Sequence, residues 1–252
     1  MSSAYQRVLS ATGTGYFFAG IGWLWRPQLR IFLWVPLLIN LLIFALLTTV
    51  LSHYFGEGLD TLLNAIPDWL HFLAWLIWLL FVVLLLLVYG YCFNLVTSVI
   101  AAPFYGILAQ KVQELLLEKP LADEPMGQLI GRTFAREWEK LCYFIPRSLG
   151  VMLVVFLRLF VPLLNLLVPA LVFAWGAWCM SIQFCDYAAD NNRQGFAQLR
   201  GQLKARSATG LGFGCMCLLA SMIPLINILA MPAAVTGGTL LWLERLRLDE
   251  TG

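Results

Sequence analysis

From Phe72 to Ala102 the chain carries no charged side chain at all. The hydrocarbon layer of a bilayer, about 30 Å thick, is crossed by about 20 apolar residues in a helix. This run is longer than one crossing needs, so it predicts a tilted span that continues past the membrane. A second run, Ile31 to Leu51, holds only Asn40, Thr48 and Thr49 as polar members and is long enough for another span. Its Pro36 falls early, where a missing N–H matters least. Composition agrees: 61% of the residues belong to the AVILMFWYC set and 12% are charged, too little polar surface for a soluble domain of this length. The expectation is an integral membrane protein. Its first residues, "MSSAYQRVLSATGTGYFF", lack the short apolar core and cleavage site of a secretory signal.

Two later segments repeat one phrase. "VPLLNLLVPA" at residues 161–170 and "IPLINILAMPAA" at 223–234 each place a Pro, a lone Asn and a second Pro within apolar surroundings. Proline ends or kinks a helix, and an amide in hydrocarbon is unfavourable unless something bonds it. The limb before the first phrase, Ser148 to Val161, is about 14 residues or roughly 21 Å as a helix, short of a full crossing. Leu211 to Ile223 and Ile228 to Leu243 repeat the plan around Pro224–Asn227. Neither connection carries a charge, unlike turns that emerge into water. The pattern predicts two re-entrant hairpins, tolerated where buried in protein or lining a wet cavity. Two full helical hairpins with tight apolar outer turns are the alternative.

The expected fold is therefore all-α and membrane-integral. It has two long transmembrane helices (31–51 and 72–102) and two half-penetrating hairpins (148–184 and 211–243). An interfacial helix and turn (1–30) and a cytoplasmic helical section (103–147) complete one membrane domain, 1–252. All 16 Lys and Arg lie in residues 1–30, 102–147, 186–210, the C-terminal tail, or at Arg158, and none lies in the Ser52–His71 loop. By the positive-inside rule both termini face the cytoplasm.

Several activities are disfavoured. No GxxxxGK[ST] motif is present, and "GLGFGC" at 210–215 opens a membrane segment without βαβ context. The two histidines, His53 and His71, flank the outer loop without an HExxH motif, so no metal, cofactor or catalytic set is expected. The six cysteines form no CxxC pair and read as small buried hydrophobes. A net charge of +2 gives no nucleic-acid signature.

The positive signals concern anions. A returning hairpin limb points its helix N-terminus, with free N–H groups, into the membrane interior, a device transporters use for anionic substrates. Asn165 and Asn227 stand where a cap or a pore-lining amide would stand. Arg158, four residues before Pro162, either lines an anion path or is structural, held in an ion pair or snorkelling to a thin spot. Arg26 and Arg30 beside Trp23 and Trp25 either form an oxyanion site with neighbouring N–H groups or anchor the helix at the interface.

Five phrases, "RPQLRIFLWVPLLIN", "IAAPFYGILAQKVQE", "REWEKLCYFIPR", "IQFCDYAADN" and "FGCMCLLASMIPLINILAMPAAVTGGTLLW", occur in order over nearly the whole chain. Together they resemble the CysZ family of bacterial sulfate permeases. The resemblance implies two long helices with two half-penetrating hairpins, homo-oligomers in the inner membrane, and sulfate entry for cysteine synthesis without ATP hydrolysis. It also implies a sulfate site at the turn before the first span, here Gln28, Leu29 and Arg30, with Arg26 nearby. In this chain Gln28 replaces the family's Gly, Ile31 its second Arg, and Tyr105 its Asn after "APF". A polar path through Asn40, Arg158, Asn165 and Asn227 completes the expectation, with sulfate and membrane lipid as partners. The rival class is a membrane-shaping hairpin scaffold that transports nothing.

Overall fold

The structure is a computed structural model. It describes residues 12–32, 34, 35, 38, 41–46, 48–50, 61, 74–120, 126–161 and 164–247. Among the described residues regular structure is entirely helical. In chain order the helices are α1 (Gly13–Leu24), α2 (Ala74–Leu117), α3 (Met126–Leu157), α4 (Leu164–Asn191), α5 (Phe196–Ala205), α6 (Ser207–Ser221) and α7 (Pro224–Leu241). α7 widens into a π-helical turn, Trp242–Leu246. Among the described residues two stretches qualify by length and composition to cross a membrane, Gly131–Leu157 of α3 and all of α4. Described positions between 34 and 50 are also helical. Pro36, Asn40, most of the 52–71 loop and Pro162 lie outside the described residues.

The chain divides into two units. In residues 34–104, the Thr48 hydroxyl lies 3.2 Å from the Tyr89 hydroxyl, and Phe44 meets the Tyr89 ring edge-on at 6.1 Å. The other unit combines 1–33 with 105–252 and holds the main core. There α1 packs on α7 and α6, while α4 packs on the same two helices. Close approach depends on small residues, as is usual where helices meet without water to expel. A Cβ on Gly237 would stand 2.5 Å from the Tyr16 carbonyl oxygen, and one on Gly238 2.6 Å from that of Phe184. Adjacent glycines thus let α7 touch α1 on one side and α4 on the other.

Helix ends differ from the expectation in three places. α3 runs without interruption from Met126 through Pro146 to Leu157, joining the charged "REWEK" section to the apolar limb. α4 begins at Leu164, so Asn165 is already helical and exposed rather than part of the break. α7 begins at Pro224, whose absent N–H falls where no intrahelical partner exists anyway. The break is confined to Met222 and Ile223, and Asn227 is not its cap: Ile223 holds that position, with no side-chain cap bond.

One face of α3 is left bare. Phe134, Trp138, Leu141, Ile145, Leu149, Met152 and Phe156 are exposed at spacings of three and four, on a side away from buried Arg136 and Lys140. A continuous apolar stripe of this kind is what a lipid-facing helix presents.

Candidate functional site

The turn after α1 is built by local hydrogen bonds. The N–H of Arg26 donates to Trp23 O (3.0 Å), that of Leu29 to Arg26 O (2.9 Å) and that of Arg30 to Arg26 O (3.2 Å). Leu29 has no exposed surface and pins the turn to the core, so it contributes packing and backbone rather than a side-chain contact. The Arg26 guanidinium lies 3.5 Å from the centre of the Trp23 ring. Arg30 Nε donates to Trp25 O at 2.9 Å, which leaves four of its five N–H groups for a ligand. Gln28 and Arg30 are exposed. Two guanidiniums are thus tied to one short turn, each held by a neighbouring tryptophan residue.

The other sequence-selected residues do not gather with this turn. Asn40 lies outside the described residues. Arg158 is exposed in the turn after α3, and its N–H continues the helix to Val154 O (3.2 Å). No carboxylate pairs with it among the described residues, so the ion-pair reading finds no support there. Asn165 is exposed on α4. Asn227 donates its N–H to Ile223 O (2.8 Å), and its buried Oδ1 has no hydrogen-bond partner among the described residues.

A polar cluster that the sequence reading missed fixes α3 to α4. Arg136 Nε and Nη2 both donate to Asp186 Oδ1, at 2.9 and 2.6 Å, and Lys140 Nζ lies 3.3 Å from Asp186 Oδ2. All three are buried, at 8%, 3% and 2% exposure for Arg136, Lys140 and Asp186. One turn away Arg132 pairs with Asp190 at 2.6 Å. The signal was present: Arg132, Arg136 and Lys140 are spaced by four, as are Asp186 and Asp190. Each set therefore lines one helix face.

A second polar site joins the two ends of the described chain. Tyr16 donates its hydroxyl to Glu244 Oε2 (3.0 Å) and accepts from Arg245 Nε (3.2 Å). Glu244 Oε1 is buried without a hydrogen-bond partner among the described residues. Burial raises the Glu244 carboxyl to about 7, partly offset by the Tyr16 hydrogen bond and the Arg245 charge. A carboxyl whose folded value exceeds its unfolded one stabilises the fold when protonated, and that contribution is lost as pH rises through the folded value. The protein in detergent should therefore lose thermal stability between about pH 4.5 and 7, and Glu244→Gln should flatten that slope. An unchanged slope in Glu244→Gln would place the titrating group elsewhere.

Helices of crossing length, a lipid-type apolar stripe and buried charges that are paired rather than solvated define an all-helical membrane protein. Residues 16–232 match the family described as sulfate transporter CysZ/etoposide-induced protein 2.4, and the chain belongs to that family. Similar relatives carry the name "Sulfate transporter CysZ". That of Pseudomonas paraeruginosa strain PA7 is 40% identical over 237 residues, covering 92% of this chain and 95% of the relative. That of Pseudomonas fluorescens strain Pf0-1 is 40% identical over 239 residues, 92% and 93%. That of Pseudomonas syringae pv. tomato strain DC3000 is 38% identical over 242 residues, 94% of each.

Proposed function

We propose that the protein carries sulfate across the bacterial inner membrane and has no catalytic role. Near-complete coverage by relatives named sulfate transporters carries this reading. The turn holding Arg26 and Arg30 gives it a chemical basis. A dianion is captured by the Arg30 guanidinium and the turn backbone, with Arg26 supplying the second charge that Ile31 lacks. It then passes between half-penetrating hairpins whose apolar tips carry Asn165 and Asn227, with Arg158 and Asn40 along the route. Both termini face the cytoplasm, copies assemble into a homo-oligomer, the bare stripe of α3 meets lipid, and the sulfate feeds cysteine synthesis. Transport is channel-like or driven by an ion gradient.

Radiolabelled sulfate uptake into proteoliposomes tests the reading. Flux above protein-free vesicles is expected; its absence from correctly inserted protein would favour a membrane-shaping scaffold. Arg30→Ala should weaken sulfate binding about tenfold, or about 1.4 kcal/mol. Arg30→Lys should recover only part, because an ammonium cannot form the planar bidentate contact. Unchanged binding in well-folded Arg30→Ala would reduce Arg30 to an interfacial anchor.

A further inference from the structure

We propose that Arg147, Arg200 and Tyr143 form a second oxyanion site, distinct from the Arg26–Arg30 turn, that takes a tetrahedral phosphate or sulfate group. The charge balance of the unit points there. Arg132, Arg136 and Lys140 each have a carboxylate within ion-pair distance. Arg147 and Arg200 have none among the described residues. Yet both guanidiniums lie against one ring, with Cζ 3.9 Å (Arg147) and 4.4 Å (Arg200) from the centre of Tyr143. The two charges are therefore no further apart than those two distances combined. The ring attracts each cation but does not remove their mutual repulsion, which a bound anion would.

The donors around that ring are also unspent. Arg147 Nη1 donates to the Tyr143 carbonyl at 3.0 Å, leaving four N–H groups. Arg200 lies over Phe196 as well, at 4.9 Å, and its Nε is buried with no acceptor among the described residues. The Tyr143 hydroxyl accepts from Trp178 Nε1 at 3.2 Å, so its own proton remains available. Guanidinium forks and a phenol are donors suited to a compact oxyanion, bonded at about 2.7–2.9 Å from nitrogen. A neutral or cationic ligand would leave the charge imbalance in place.

Position in the chain narrows the source to two. Arg147 is the last charged residue of α3 before the apolar stretch Ser148–Leu157, and Trp175 Nε1 donates to Ser148 Oγ (3.1 Å) beside it. Indole and guanidinium groups at the edge of an apolar stretch belong to the headgroup level. The oxyanion is then either the phosphodiester of an anionic phospholipid or a free inorganic anion, and the inference does not depend on sulfate being the cargo.

The test uses the full chain in detergent and reads affinity from ligand-dependent thermal stabilisation. One arm titrates phosphatidylglycerol in mixed micelles against phosphatidylcholine; the other titrates inorganic sulfate and phosphate. Arg147→Gln with Arg200→Gln should weaken one of these ligands about tenfold, and the responding arm identifies the source. Arg147→Lys with Arg200→Lys should fall between, since charge is kept while the fork is lost. If the double Gln variant is unstable without ligand, Tyr143→Phe provides the reading, because it keeps the ring and removes only the hydroxyl; about threefold weaker binding is expected. Wild-type binding of neither ligand class, or equal binding by wild type and all three variants, overturns the site.

Discussion

Asp186→Ala should destabilise the folded protein by about 3–5 kcal/mol, the usual result of removing one partner from a buried ion pair. At this chain length that is a fall of roughly 10 °C in melting temperature. Asp186 accepts both guanidinium bonds from Arg136 and lies 3.3 Å from the Lys140 ammonium, and all three are nearly inaccessible to water. Its loss leaves two cations with only Glu137 and Glu139, the half-exposed carboxylates of their own helix. Asp190→Ala should have a smaller effect, because Arg132 and Asp190 retain 20% and 17% side-chain exposure. Replacing Asp186, Arg136 and Lys140 together by Leu, Met and Met should recover most of the loss, since no charge is then stranded. Thermal unfolding in detergent checks all three variants. Equal melting temperatures for Asp186→Ala and wild type would mean that water already solvates this cluster.

The contrast between that cluster and the helices shows what one sequence can disclose. Apolar length is a local property, so helical membrane character was legible from the runs alone. The breaks near Pro162 and Pro224 were legible because proline restricts its own residue and the one before it. The start of the second hairpin's returning limb was placed four residues late, at Ile228 rather than Pro224. A lone Asn in an apolar segment resembles a cap, but a proline at the first helical turn starts the helix without one. The continuity of α3 across Pro146 went unseen, since neighbouring structure can stabilise a helix that an isolated proline would end. The Arg136–Asp186 contact needed more. Fourfold spacing was visible in both segments, but a pairing across 50 residues of chain is fixed only when α3 and α4 dock. The Arg26–Arg30 turn was legible as a cationic turn, whereas its clamps, the Trp23 ring and the Trp25 carbonyl, are tertiary and local geometry.

Gly20→Ala and Gly22→Ala, two residues apart on α1, should have opposite outcomes. A Cβ on Gly20 would overlap the Ala233 carbonyl oxygen and lie 2.7 Å from the Gly237 nitrogen, while one on Gly22 meets nothing within 4 Å. Both obstacles to the Gly20 methyl are backbone, so no side chain can rotate away and α1 must move off α7. Overpacking of this kind destabilises by about 1–3 kcal/mol, and Gly20→Leu should exceed that and prevent α1 from docking. Gly22→Ala should be neutral or stabilising by up to about 1 kcal/mol, the difference in helix propensity between the two residues. The consequence for function follows from position. α1 ends at Leu24, and the turn with Arg26 and Arg30 is anchored through Leu29 to the same core. On the proposed reading of this turn as the sulfate site, displacing α1 should weaken sulfate binding even though Gly20 is not part of that turn, whereas Gly22→Ala should leave it unchanged. Melting temperature and sulfate affinity measured on the same preparations check the coupling. A Gly20→Leu protein that melts and binds sulfate like wild type would show that α1 is not packed against α7 when the anion binds.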